Sequence, residues 1–173
     1  MASYYYLISS LPDLTSDGKI PLSFDEFIAA CSGCVSDEKL EALKNPDKAS
    51  CSVAVSKKWA KFYGDLTAEL NLQRSTRLGK SYSSDYDKDS LTAGVVASAL
   101  NAKNPLEAEK ILLDYEFENL DNMVGLHTFD DEYLFGYAIK LKLLQRLSCF
   151  TQKKGQEEFG RLLSGVQKSV CSL

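Results

Sequence analysis

The sequence predicts an all-α fold, and three observations lead to this prediction. Apolar residues of the C-terminal half recur three and four positions apart, the spacing of a helix face. Helix-capping residues stand directly before several of these runs. The tyrosine-rich opening is the one strongly strand-like stretch, and a lone strand cannot satisfy its own backbone hydrogen bonds. We therefore expect a compact bundle of several antiparallel helices.

The opening of the chain and two short helices come first. Residues 4–14, YYYLISSLPDL, are predicted to form a helix or an extended segment packed into the helical body. Ser23 can cap a short helix, and Ser36 can open another that must end before Pro46.

A longer helix is predicted from about residue 50 to 78. Its inward residues are expected to be Val55, Trp59, Phe62, Tyr63, Leu66 and Leu70. The polar stretch GKSYSSDYDKD, residues 79–89, is typical of a linker or loop. A short helix should follow over residues 91–100.

Three helices are predicted in the C-terminal half. The first has Asn104 as its cap, Pro105 at its first position, Glu107 where a capping box needs a carboxylate, and an end near Gly125. The second starts at the Asp130 cap, and its apolar residues trace a single stripe: Tyr133, Leu134, Tyr137, Ala138, Leu141, Leu144 and Leu147. The third should begin after Thr151 and carry Phe159, Leu162, Leu163 and Val166.

Length and charge limit the organisation and the partners. The 173 residues fit a single domain, with two lobes (1–78 and 90–173) joined by the linker 79–89 as the alternative. A net charge of −4 is the wrong sign for a nucleic-acid binder. No apolar run approaches the roughly 18 residues that span a bilayer, and the opening lacks the features of a signal peptide. We expect a cytoplasmic protein with reduced cysteines.

The sharpest chemical candidate is the pair Cys31 and Cys34, a C-x-x-C motif that fits thiol redox chemistry or metal binding. The pair follows a helical run and so lies at a helix end, where small buried residues are the simpler interpretation. The remaining possible ligands are isolated along the chain: Cys51, Cys149, Cys171 and His127. They do not complete a typical zinc motif.

Other polar residues have ordinary interpretations. His127 lies in a turn between two helices and lacks an evident orienting partner. The acidic cluster Asp114, Glu116, Glu118 and Asp121 spreads around a helix, which indicates a solvated face. No catalytic, cofactor or metal site is predicted. The chain is expected to be an interaction protein rather than an enzyme.

Two stretches carry a family resemblance. Residues 4–14 resemble the opening of a bacterial family encoded within V-type ATP synthase operons. Residues 129–163, FDDEYLFGYAIKLKLLQRLSCFTQKKGQEEFGRLL, resemble that family's later helical hairpin. This segment is also similar to the C-terminal helices of the funnel-shaped subunit in the central stalk of V/A-type ATPases, which is named d in eukaryotes.

The resemblance implies a non-catalytic, all-α subunit or accessory of a rotary ATPase involved in ion and proton transport. Its partners would be the central stalk and the membrane rotor ring, and it would be peripheral on the cytoplasmic face of the inner membrane. Tyr133, Tyr137, Leu141 and Arg146 would belong to the shared core hairpin. At 173 residues the chain is far shorter than the three-lobed funnel subunit. The alternatives are a stand-alone cytosolic helical adaptor and a thiol protein using Cys31 and Cys34.

Overall fold

A computed structural model confirms the all-α fold. It describes residues 4–16, 20–48, 52–83, 85–148 and 152–171. Eight helices lie within these ranges, in the order α1 Tyr5–Ser10, α2 Phe24–Cys31, α3 Asp37–Leu43, α4 Ala54–Arg77, α5 Ser90–Leu100, α6 Pro105–Val124, α7 Asp131–Ser148 and α8 Gln152–Cys171.

Helix α7 lies at the centre of the packed body. Leu134, Phe135 and Leu141 join α1, α2 and α3 in one hydrophobic cluster. Ile139 and Leu143 join α4 and α6 in a second cluster. The prediction of a single apolar stripe on this helix is therefore wrong, because α7 is buried on more than one face. Helices surrounded by neighbours are apolar around most of their circumference.

A third cluster holds α4, α5 and α6 together through Leu66, Val96 and Tyr115. Helices on both sides of the 79–89 stretch therefore share core contacts. The predicted inward face of α4 is largely confirmed. Tyr63 is the exception, since its side chain is exposed.

The predicted caps at Ser23, Asn104 and Asp130 have side-chain hydrogen bonds, whereas Ser36 precedes α3 without one. The predicted capping box at Glu107 is not formed, because the Glu107 carboxylate accepts a 3.3 Å bond from the backbone N–H of Lys103. Ser23 and Glu26 form a reciprocal capping box at α2. The side chain of Asn104 accepts a 2.8 Å bond from the backbone N–H of Glu107, and Asp130 Oδ1 accepts a 3.2 Å bond from the backbone N–H of Tyr133. Helix α4 begins at Ala54. The predicted starts at residue 50 and Thr151 lie outside the described residues.

The opening tyrosines divide between core and surface. Tyr4 is buried, and its hydroxyl donates a 2.8 Å bond to Asp131 Oδ1. Lys39 Nζ lies 2.6 Å from Asp131 Oδ2, so one carboxylate joins α1, α3 and α7. Tyr5 and Tyr6 are exposed. The expectation of a helix packed into the body thus holds through Tyr4, Leu7 and Ile8, and not through the other two tyrosines.

The described part of the 79–89 stretch, residues 79–83 and 85–89, contains no helix. Two contacts hold it against α4. The Tyr86 hydroxyl donates to the carboxylate of buried Glu69, and Lys61 Nζ lies 2.8 Å from Asp87 Oδ2. Burial and the bonded Glu69 carboxylate raise the pKa of Tyr86 to about 12.

Candidate interaction surfaces

The four residues assigned to the core hairpin all lie on α7. Leu141 is fully buried, and buried Tyr137 donates a 2.8 Å bond to the carbonyl of Pro12. Tyr133 is partly buried and touches two of the core clusters. Arg146 lies near the end of the helix and reaches α6. These side chains shape the centre of the body more than its surface.

An ion-pair cluster joins α6 to the end of α7. Arg146 Nη1 donates a 3.0 Å bond to Glu116 Oε1, and further bonds run from Arg146 to Glu116 Oε2 and to Glu109. Only 1% of Glu116 is exposed. Burial raises the pKa of the Glu116 carboxyl, and the adjacent guanidinium offsets part of this rise. Burial acts to lower the pKa of Arg146, but its two carboxylate partners outweigh that effect and raise it.

The interpretation of the acidic cluster as a solvated face is wrong for Glu116. Asp114 and Glu118 are exposed, and exposed Asp121 binds Lys140 at 2.5 Å. Glu116 instead points into the body, between Tyr115 and Phe117, which are both buried. Its partner, Arg146, lies 30 residues away in sequence, so no local pattern connects the two. The only sequence feature that indicated the burial of Glu116 was the pair of aromatic residues on either side of it.

An aromatic patch lies at the start of α7. It consists of Tyr5, Tyr6 and Phe129, with ring centroids 5.6 Å apart for Tyr5 and Tyr6 and 4.8 Å apart for Tyr5 and Phe129. Tyr6 is 89% exposed. Leu126 follows the end of α6, in the same turn as Phe129, and is 99% exposed. Clustered apolar side chains on a surface are typical of an interaction site.

Helix α8 presents a second apolar surface, the α8 stripe, formed by Phe159, Leu162 and Leu163. Their exposed fractions are 67%, 62% and 46%. They lie three and four residues apart and therefore share one face of the helix. Glu158 and Arg161 pair at 2.8 Å.

The two apolar surfaces belong to segments on either side of α7 in the sequence. The aromatic patch adjoins its first residue, and α8 begins four residues after its last, Ser148. Helix α7 has 18 residues and is therefore about 27 Å long.

The cysteine pair lies at the C-terminal end of α2. Cys31 is the last residue of the helix and is fully buried, whereas Cys34 is exposed. Burial, and to a lesser degree Cys34, raise the pKa of the Cys31 thiol to about 12. A nucleophilic thiol needs the opposite shift. Cys51 and Cys149 lie outside the described residues.

His127 lies in the turn before α7, where its Nδ1 contacts the capping residue Asp130. Asp130 is thus an orienting partner for His127 that the sequence did not indicate. Among the described residues, no three His, Cys, Asp or Glu side chains are grouped so that they could hold a metal ion. None of the described helices has both the length and the hydropathy needed to cross a bilayer.

These features define an all-α protein with two exposed apolar surfaces, the aromatic patch and the α8 stripe. A family model described as "Protein of unknown function (DUF2764)" matches residues 78–170, more than half of the 173 residues. The chain belongs to this family. The matched segment runs from the end of α4 into α8 and includes the whole α6–α7 hairpin. No curated protein and no solved structure matches the chain.

Proposed function

We propose that this protein is a non-catalytic subunit or accessory of a V/A-type rotary ATPase, located peripherally on the cytoplasmic face of the inner membrane. It would join the central stalk to the membrane rotor ring. The resemblance of residues 4–14 and 129–163 to the operon-encoded family, and of the second segment to the funnel-shaped stalk protein, is the basis for naming this complex.

The observation that carries the proposal is the aromatic patch. Aromatic side chains with a polar end are favoured where a partner covers a surface. The patch is also rigidly supported, because Tyr4 directly before it is buried and bonded to Asp131, which in turn binds Lys39. A coupling element has to transmit force through such fixed contacts. A partner docked on Tyr5 and Tyr6 would be anchored to α7 through a single bonded network.

The stand-alone adaptor differs from this proposal in its partners. An adaptor would use the same patch without binding a stalk or ring protein. The thiol alternative has less support, because the burial of Cys31 opposes thiolate formation.

The experiment is affinity purification of the tagged full chain from gently solubilised membranes of its native host, with quantitative mass spectrometry. We expect central-stalk and rotor-ring subunits in amounts comparable to the bait. A Tyr6→Ala variant should reduce their recovery at least tenfold, since Tyr6 is largely exposed and contributes little to the core. Leu91→Ala removes another large exposed side chain, from α5 and outside the aromatic patch, and is the control.

Three results would contradict the proposal. One is recovery of the bait without ATPase subunits. Another is equal loss of these subunits with both variants. The third is full recovery with Tyr6→Ala, which would exclude the aromatic patch as the docking surface. Replacing Cys31 and Cys34 by serine should leave the recovery unchanged.

A further inference from the structure

The apolar face of helix α8 is not covered by the described part of the body, although a helix with this composition needs such packing. It has 20 residues and includes Gly155, Gly160 and Gly165. Most of the stability of a helix in a protein comes from the packing of its apolar face, and each glycine disfavours the helix by about 1 kcal/mol relative to alanine. Its described side chains, at positions 155–165 and 167, are all exposed. A binding partner for the α8 stripe would supply the missing stabilisation.

The sequence of α8 indicates what kind of surface covers it. Apolar residues recur at alternating spacings of four and three, at Phe159, Leu163, Val166, Val170 and Leu173. This alternation, which begins after polar Gln156 and covers two heptads, is typical of the seam of a short two-stranded coiled coil, in which one helix packs along another. Phe159 and Leu163 are exposed, and Leu173 lies outside the described residues.

The positions beside this seam indicate which helix fits. In coiled coils the flanking positions usually carry charges that select the partner. Between residues 155 and 169 the flanking residues of α8 are uncharged: Gly155, Gly160, Leu162, Gln167 and Ser169. The charged residues fall on the outer positions instead: Glu157, Glu158, Arg161 and Lys168. An identical helix therefore meets no like charge along the seam.

We propose that α8 pairs with α8 of a second copy of this chain, forming a short two-stranded coiled coil. The α8 stripe is then buried between the two copies, and the charged outer positions of both helices face water. This inference does not rest on the proposed function, since it uses α8 and not the aromatic patch. It predicts that the full chain dimerises by itself.

The test is sedimentation equilibrium of the purified full chain over a wide range of concentration. We expect a reversible monomer–dimer equilibrium. Leu163→Glu should weaken dimerisation at least tenfold, or by about 1.4 kcal/mol, because it places a charge in the seam. Ser164→Glu is the matched control, since it adds the same charge at the next position, on the outer face of the helix. The control should dimerise like the unmodified chain.

Fluorescence of Trp59, the single tryptophan, reports the body, where this residue is buried in α4. It should be the same in both variants, so that a loss of dimer is not confused with unfolding. A chain that stays monomeric at every concentration would overturn the inference. So would a Leu163→Glu variant that dimerises normally, or equal weakening by both substitutions. The membrane purification is a separate measurement, so this inference can fail while the ATPase proposal stands, and the reverse.

Discussion

Helices α7 and α8 are consecutive and similar in length, with 18 and 20 residues, yet they have opposite environments. Helix α7 is apolar on more than one face, and its neighbours bury nine of its residues. Helix α8 has a narrow apolar stripe, three glycines and exposed side chains at all the positions where exposure is described. The width of an apolar pattern therefore distinguishes a helix at the centre of the body from one whose described side chains remain exposed.

The largest expected effect comes from breaking the ion-pair cluster at the end of α7. Arg146→Met leaves Glu116 buried without its cation, and should lower the free energy of unfolding by about 3 kcal/mol or more. Lys142→Met is the matched control. Lys142 lies on the same helix and pairs with exposed Asp47, so its loss should cost less than about 1 kcal/mol. Urea denaturation of both variants measures the two losses in the free energy of unfolding. Equal losses would contradict the importance assigned to the buried ion pair.

The same variant should alter the pH dependence of stability. Because burial raises the pKa of Glu116 in the folded chain, the contribution of this carboxyl is fully present below its ordinary pKa of 4.5 and declines as the pH rises through the raised value. Removing Arg146 removes the offsetting effect and raises that pKa further. The difference in the free energy of unfolding between Arg146→Met and the unmodified chain should therefore be larger at about pH 8 than at about pH 5. A difference that is constant with pH would exclude Glu116 as its source.

The second-largest effect is expected from replacing a glycine by alanine, once in α7 and once in α8. A Cβ added at Gly136 of α7 would lie 2.5 Å from Cγ2 of Val124, so Gly136→Ala should destabilise the body by about 1 to 3 kcal/mol. A Cβ at Gly160 of α8 meets no atom within 4 Å. Gly160→Ala should stabilise its helix by up to about 1 kcal/mol and increase the helical circular dichroism signal. Effects of the same sign would contradict the contrast between the two helices.

A smaller effect is expected at the start of α6. Asn104→Ala removes the side chain that accepts the bond from Glu107 N, at a cost of about 1 kcal/mol. Ser36→Ala is the matched control, because Ser36 precedes α3 without a side-chain capping bond. Thermal unfolding should show a lower midpoint for Asn104→Ala and little change for Ser36→Ala. The reverse order would contradict the assigned caps.

The smallest effect should come from the 79–89 stretch. Tyr86→Phe removes the bond to Glu69, at a cost of about 1 kcal/mol or less, while Gln73 still binds that carboxylate. The titration of Tyr86, with its pKa raised to about 12, should disappear from the tyrosine absorbance curve. Tyr82→Phe is the control, and it should leave the titration near pH 12 in place. Loss of this titration in the Tyr82→Phe variant, and not in the Tyr86→Phe variant, would contradict the contact between Tyr86 and Glu69.

The sequence predicted the features that depend on neighbouring residues. The caps at Ser23, Asn104 and Asp130 were identified correctly, because a cap and its partner lie three positions apart. Features that depend on distant residues could not be found in this way. The partner of Glu116 lies on another helix, and the second buried face of α7 depends on which helices surround it. The exposure of Tyr6 and of the α8 stripe likewise depends on packing and not on residue type.

Hydrogen–deuterium exchange of the purified chain, measured by helix, tests most directly the contrast between a closed body and an exposed α8. In dilute solution we expect the amides of α7 to exchange only through global unfolding, whereas α8 amides exchange several orders of magnitude faster. The reason is that α7 is packed on more than one face and α8 carries an uncovered stripe. Equal protection of α7 and α8 in the dilute chain would contradict this account.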